Sequence, residues 1–495
     1  MNYLSTRNNK IKATAAEAIA RGISSDGGLF VPEFLPKLSA DDFKKLCGMS
    51  YPERAAFVLS KFLGDFTESE VEYCTNGAYK NTFDNDNPAP LYSLDDNTVI
   101  LELWHGPTCA FKDLALQILP FLLTTSAKKV SKGMETVILV ATSGDTGKAA
   151  LEGFSDVSGT KIMVFYPSEG VSAMQKLQMD TQSGNNVCVT AIKGNFDDAQ
   201  SGVKKIFTDS KIAEKLSEHN MRFSSANSIN WGRLAPQIVY YVSAYCDLLN
   251  GKKDLSDGFN VVVPTGNFGN ILAAYYAKQM GVPIHKLICA SNANNVLTDF
   301  LNTGTYDRNR KFFTTISPSM DILISSNLER MLFELSGRDD SMTVLWQNEL
   351  KQNGKYTVSD SVKKELDSIF YGGFCDDEKT EKTIKKVFDD YGYLCDTHTA
   401  VAVAVYEDYK AATGDDRLSV IASTASPYKF AASVLSALGE RSFENEFESV
   451  ERLSKLTKTA VPRPIEQLKN KKVRFSDCCE AAEMEKAVLE FLNIK

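Results

Sequence analysis

From about residue 133 the chain repeats one unit: an apolar, β-branched run, then a glycine-rich or polar turn, then about three turns of amphipathic sequence. Thr136 to Ala141 (TVILVA) leads through TSGDTG into KAALEGF, and Lys161 to Tyr166 (KIMVFY) leads through PSEG into VSAMQKLQM. Val187 to Ile192 precedes KGNFDDAQSGVKKIF, and Asn260 to Val263 runs through PTGNFGN into ILAAYYAKQM. Lys286 to Ala290 and Leu418 to Ala422 are two further strands, the second followed by STASPYKFAASVLSAL. Such runs are apolar at successive positions instead of alternating, so both faces of the strand must be covered. An α/β class with parallel sheets between helices follows. Ligands are then expected where strand ends meet helix starts.

The first 90 residues read differently, as mixed and mainly helical sequence closing in the polar, proline-bearing FDNDNPAPLYSLDDN. A chain of 495 residues exceeds one ordinary core, so two or three domains are expected. With 55 basic and 63 acidic residues the net charge is -8 and no basic block occurs, which argues against nucleic acid or an anionic membrane as partner. The N-terminus MNYLSTRNNK is polar and no apolar run approaches the ~18 residues of a membrane span, so a cytoplasmic protein is expected. Ten scattered cysteines without a CxxC, and only four histidines, lead to the expectation of no metal site.

Three strand-to-helix turns are chemically suggestive. In PTGNFGN, Gly266 and Gly269 let backbone amides approach an anion at a helix start, as a phosphate requires, although a tight turn explains the spacing equally well. ATSGDTGKAAL lacks the GxxxxGK[ST] spacing of a nucleotide loop, and its hydroxyls and amides suit a carboxylate or merely cap the helix. ASTASPYKF ends a strand with hydroxyls beside a proline, fit for a ligand ring or for capping. A fourth stretch, WHGPTCAFKDLALQ, sets Lys112 where a polar turn becomes an apolar helix, the position of a solvated lysine or of a nucleophile held at a pocket wall.

These stretches, together with YLSTRN, AEAIARGISSDGGLFVPE, SANSINWGR and CDTHTAVAV, occur in an order that resembles the threonine synthase family from about Tyr3 to Phe430. The resemblance implies a pyridoxal 5'-phosphate enzyme of the tryptophan-synthase-β-like fold. Its expected division is an N-terminal domain at 1–90, a larger cofactor-binding α/β domain formed by 91–130 and 235–495, and a smaller α/β domain at 131–234. By the same resemblance Lys112 would carry the cofactor as a Schiff base, and a lysine in that role must be partly desolvated and rigidly held. Asp113 should therefore point away from it. Gly266, Asn267, Phe268, Gly269 and Asn270 would hold the cofactor phosphate, and Thr424 would face the pyridine nitrogen. Ser143, Gly144, Asp145 and Thr146 would receive the substrate carboxylate, and Asn227, Asn230 and Arg233 the substrate phosphate. Many bacterial members of the family carry histidine where this chain has Ser426, which leaves His105 and Lys112 as possible bases. The implied activity is conversion of O-phospho-L-homoserine and water to L-threonine and phosphate, by a monomer or homodimer. The rival expectations are a phospholyase releasing 2-oxobutyrate and a catalytically silent cofactor-binding homologue.

Overall fold

The computed structural model describes residues 1–494 except 132, 143, 170, 442 and 444 and the side chain at 197. Sixteen strands occur among the described residues. The first three, β1 (Tyr3–Ser5), β2 (Asn8–Ala13) and β3 (Phe30–Pro32), form a small antiparallel sheet. In chain order there follow β4 (Leu91–Ser93), β5 (Thr98–Glu102), β6 (Glu135–Ala141), β7 (Thr160–Pro167), β8 (Val187–Lys193), β9 (Met221–Ser224), β10 (Phe259–Pro264) and β11 (Ile284–Ser291). The last are β12 (Thr305–Asp307), β13 (Lys355–Thr357), β14 (Phe370–Phe374), β15 (Ser419–Ser423) and β16 (Cys478–Glu480).

Two sheets carry the α/β architecture. The larger has the order β14-β11-β10-β15-β5-β4, parallel except for β4 at its edge, and the smaller is the parallel β16-β8-β7-β6-β9. All six strands expected from apolar runs are present, and the central ones are buried along their length, as in the VVV of β10. That burial on both faces is why the runs do not alternate.

Some strands were not legible. β14 reads FYGGF, and a Cβ at Gly373 would stand 2.7 Å from Val405 Cγ1, so glycine is there to let a helix pack closely on the sheet. Residues 478–480, expected to belong with the larger α/β unit, instead pair with β8 in the smaller sheet. They form the short edge strand of that sheet, and pairing across nearly 300 residues leaves no local pattern.

The N-terminal region is helical around its small sheet and braces the rest. Trp231 is fully buried against the rings of Tyr3, Phe62 and Tyr276 at 5.4, 5.6 and 5.7 Å. Arg330, also fully buried, donates to the carbonyls of Phe30, Ser228 and Ile229, tying β3 to the SANSIN turn. Among the described residues no helix is long and apolar enough to cross a membrane.

Candidate active site

Strand order assembles the site. β10, β15 and β5 are parallel neighbours, so the turns that leave their C-terminal ends lie side by side. Those turns are the glycine loop, the Thr424 turn and the segment leading to Lys112. The chain runs from β10 outward through β11 to β14 on one side and places β15 and β5 on the other. This reversal opens a crevice at the strand ends.

The Lys112 segment is fastened to the Thr424 turn by two backbone bonds. Phe111 N–H donates to Thr424 O at 2.9 Å and Ser426 N–H donates to Cys109 O at 3.1 Å. Cys109 adopts φ 57, a left-handed backbone unusual for a side-chain-bearing residue and held by this pairing. Asp113 does turn away from Lys112: it accepts from Thr108 N–H at 2.9 Å and from Thr108 Oγ1 at 2.7 Å. A Cβ at Gly106 would collide with that carboxylate at 2.5 Å, so the Gly-Pro break exists to let the turn close over it.

Lys112 has 11% of its side chain exposed, with Nζ 3.6 Å from Asp145 Oδ2 and 5.5 Å from the centre of the Phe111 ring. Burial lowers its pKa to about 8, opposed by Asp145 and reinforced by the positive charges of Lys429 and Arg233. Roughly a tenth of the amine is then neutral at pH 7, against less than a thousandth for an ordinary lysine.

Asp145 corrects one expectation. Its carboxylate is buried and ion-paired to Lys429 Nζ at 2.6 Å through Oδ1 and to Lys112 through Oδ2, with Gln175 Nε2 donating at 2.9 Å. Burial by itself would raise its pKa, but the two ammonium groups hold it far below the usual carboxylate range. A fixed anion repels a substrate carboxylate, so within TSGDTG only neighbouring groups suit that task. Thr142 Oγ1 braces the turn, accepting from Gly144 and Gly147 N–H at 3.0 Å each. Gly144 sits at φ 145, where a Cβ would meet Gln175 at 2.5 Å. Thr146 is half-buried at the start of the following helix, and Ser143 lies outside the described residues.

The glycine loop is built as an anion cradle. Phe268, at φ 62, turns the chain into the helix Gly269–Met280. The loop carbonyls are bonded, Gly266 O to Ser325 Oγ at 2.9 Å and Asn267 O to Asn327 N–H and Nδ2 at 3.1 and 3.2 Å. Among the described residues, the N–H groups of 266–270 have no protein acceptor. A Cβ at Gly266 would stand 2.8 Å from Ser319 O, so the loop passes too close to that backbone for a side chain. Asn270 Oδ1 accepts from Tyr240 at 2.9 Å and from Tyr241, while its buried Nδ2 has no partner. Unmet donors around a helix N-terminus fit a phosphate dianion.

The SANSIN turn divides. Asn227 is half-buried, its backbone N–H bonded to Ser225 Oγ at 3.2 Å. Asn230 does not fit the expected ligand role, because its amide donates to Ile19 O and Ser225 O at 3.0 and 2.9 Å and its oxygen caps Gly232 N–H at 2.9 Å. It holds the turn and has no donor left for an anionic ligand. Arg233 is 5% exposed, donates to Ala226 O at 2.8 Å, forms no ion pair among the described residues and keeps an unpartnered Nε. Burial lowers its pKa to about 10. An uncompensated buried guanidinium is costly in a free protein, which makes it a strong sign of an anionic ligand.

His105 is excluded as a base. Both its nitrogens face carboxylates, Asp84 at 2.7 Å and Glu102 at 3.0 Å. Burial would lower its pKa, but the two acids raise it to about 9, so it is a clamped imidazolium near neutrality. A raised pKa stabilises the fold fully below the ordinary value near 6.5, and that stabilisation disappears as pH passes about 9. The unfolding free energy should therefore fall between pH 7 and 10 by an amount on the order of 1–2 kcal/mol, after allowance for partial solvation, and His105→Gln should flatten that part of the profile. An unchanged slope in the variant would deny the clamp. Ser426 is fully buried and caps the turn Pro427–Phe430, accepting from Tyr428 N–H at 3.4 Å. Thr424 is 7% exposed beside the Lys112 segment.

Residues 2–79 match the family described as "Threonine synthase N terminus", 88–349 that described as "Pyridoxal-phosphate dependent enzyme", and 399–488 "Threonine synthase, C-terminal". The chain is 42% identical over 435 residues to human "Threonine synthase-like 1", a match covering 86% of this chain and 58% of that protein. It therefore spans little more than half of that relative's length. It is 38% identical over 435 residues to "Threonine synthase" of Pseudomonas aeruginosa, covering 88% of this chain and 90% of that one. The crystal structure of PLP-bound threonine synthase from Brucella melitensis superposes with a TM-score of 0.88 at 36% identity, over 99% of both chains.

Proposed function

Because the chain belongs to the threonine synthase family of pyridoxal-phosphate-dependent enzymes, we propose that it converts O-phospho-L-homoserine and water to L-threonine and phosphate. The observation that carries this reading is Arg233, a buried cation without an acidic partner among the described residues and within electrostatic reach of Lys112. One cofactor phosphate accounts for the glycine loop. A second anion on the substrate accounts for the arginine, whose planar donors suit a phosphate.

In this reading Lys112 and the 266–270 amides, with Asn270, hold pyridoxal phosphate, and Thr424 offers its ring a neutral hydroxyl. The bound cofactor supplies the electron sink for charge developing on the substrate carbons. Lys112, largely desolvated and with a depressed pKa, takes the Cα proton of the substrate and later returns it. Asp145 keeps the Lys112 amine oriented through Oδ2. Arg233 and the half-buried Asn227 hold the γ-phosphate until it leaves, and the hydroxyls and N–H groups around Gly144 and Thr146 take the amino-acid carboxylate.

The test is product identity. Full-length protein supplied with pyridoxal phosphate and O-phospho-L-homoserine should release phosphate and L-threonine in equal amounts by chromatography. Equimolar 2-oxobutyrate in place of threonine would establish the phospholyase reading, and absence of phosphate release would establish the silent one.

A further inference from the structure

The molecule contains a second lysine in the crevice that the proposed reaction does not use. Lys429, in the turn Pro427–Phe430 after β15, has a side chain with no exposed surface. Its Nζ lies 2.6 Å from Asp145 Oδ1 and donates to Thr108 O at 3.0 Å. Lys112 Nζ lies 3.6 Å from the other oxygen of the same carboxylate. One acid from the smaller sheet thus stands between two amines from the larger one.

We propose that Lys429 is a positioning residue for Lys112: it pins Asp145 through Oδ1, leaves Oδ2 toward Lys112, and thereby sets how much of the Lys112 amine is neutral. The physical reason is the unequal sharing of one negative charge. A carboxylate already neutralised by an ammonium at 2.6 Å attracts a second ammonium at 3.6 Å only weakly, and the nearer cation also repels it. Without Lys429, the whole charge of Asp145 faces Lys112 and stabilises its protonated, unreactive form.

The other groups around Lys112 leave this balance to Asp145 and Lys429. Arg233, on the helix Trp231–Asn250, adds a like charge. Asp113 is bonded to Thr108, and burial raises the pKa of the Cys109 thiol, which stays neutral. Gln175, from the helix Ala173–Asp180, and Ser319 contribute only neutral hydrogen bonds to Asp145. Lys429 also restrains the Lys112 turn mechanically, because Thr108, whose carbonyl it binds, is the residue that caps Asp113.

Competitive labelling with acetic anhydride tests this. The full chain, prepared without pyridoxal phosphate, is labelled across pH 6 to 10, and acetylation of Lys112 is read by peptide mass spectrometry. Wild type should show a midpoint near pH 8. Lys429→Met should move it upward by about one unit, a roughly tenfold loss of neutral amine at pH 7. Lys429→Arg, which keeps the charge, should stay close to wild type. The double variant Lys429→Met with Asp145→Asn should move the midpoint below wild type, because only burial and Arg233 then act on the amine. A folded Lys429→Met protein with the wild-type midpoint overturns the proposal, as does an Arg variant shifted as far as the Met variant. If circular dichroism shows Lys429→Met unfolded, Lys429→Gln, which removes the charge but can still donate to Asp145, decides: a raised midpoint supports the proposal and an unchanged or lower one overturns it. The labelling reads Lys112 without cofactor, so it stands apart from whether Lys112 is the residue that takes pyridoxal phosphate, which borohydride trapping tests separately.

Discussion

Lys112→Ala should abolish the visible absorption of the cofactor-loaded protein and reduce phosphate release from O-phospho-L-homoserine by more than about 10⁴-fold, since covalent attachment and proton transfer are lost together. The crevice contains one amine suited to that role. Lys429 is fully enclosed, its nitrogen bonded to Asp145 at 2.6 Å and to Thr108 O at 3.0 Å. Lys148 is likewise buried, bonded to Glu152 at 2.8 Å and to Gln182. Lys112 alone of these three combines partial exposure, a long contact with its acid and a pKa brought down to about 8. Borohydride trapping followed by peptide mapping should place the adduct on the peptide containing Phe111 and Asp113. An adduct on either of the other lysines, or activity in Lys112→Ala within tenfold of wild type, would remove Lys112 from the chemistry.

The second large effect concerns Arg233. Its guanidinium is buried, unpaired among the described residues and bonded to one carbonyl, so the free protein carries the cost of an isolated charge. Arg233→Met should therefore stabilise the protein without ligand, by about 1–3 kcal/mol, and weaken the substrate interaction by about 2–5 kcal/mol. The expected signature is a denaturation midpoint that rises while KM for O-phospho-L-homoserine increases by about a hundredfold or more. Affinity for pyridoxal phosphate should change little, because the glycine-loop amides and Asn270 hold that group in this reading. Loss of stability in Arg233→Met would contradict the uncompensated charge. Equal loss of cofactor and substrate affinity would remove the residue from a separate phosphate pocket.

These two residues differ in how far sequence could assign them. For Lys112 the residues alone left a solvated lysine and a nucleophile open, and the role came from the family resemblance; what was legible locally was the turn HGPTCAFKD, which Gly106, Thr108 and Asp113 close. Arg233 was legible as an anion ligand only through the company of SANSINWGR; its isolation from carboxylates is a fact of packing. Asn230, in the same stretch, shows the opposite outcome. A polar residue in a functional motif turned out to be a helix cap with both of its donors committed to backbone carbonyls. His105 looked like a free base and is held between Asp84 and Glu102, of which Asp84 lies 21 positions away. The supporting residues Asn327, Ser325 and Gln175 were missed; the first two left a local trace only in the polar run before a helix, SSNLER, and Gln175 none.

What the sequence determined by itself was the set of local elements. Buried parallel strands require continuous β-branched runs, and sharp strand-to-helix turns require glycine, so β6, β7, β8, β10, β11 and β15 and the loops after them could be read directly. Their order relative to known motifs also indicated the cofactor. Tertiary structure alone decided which turns meet. β16 joins the smaller sheet from the far end of the chain, β10 and β15 become neighbours, and Asp145 comes to lie between Lys112 and Lys429. Charge balance depends on distances between atoms that the chain keeps far apart in sequence. It becomes determinate only when the turns from the two sheets are brought together and water is removed from between them.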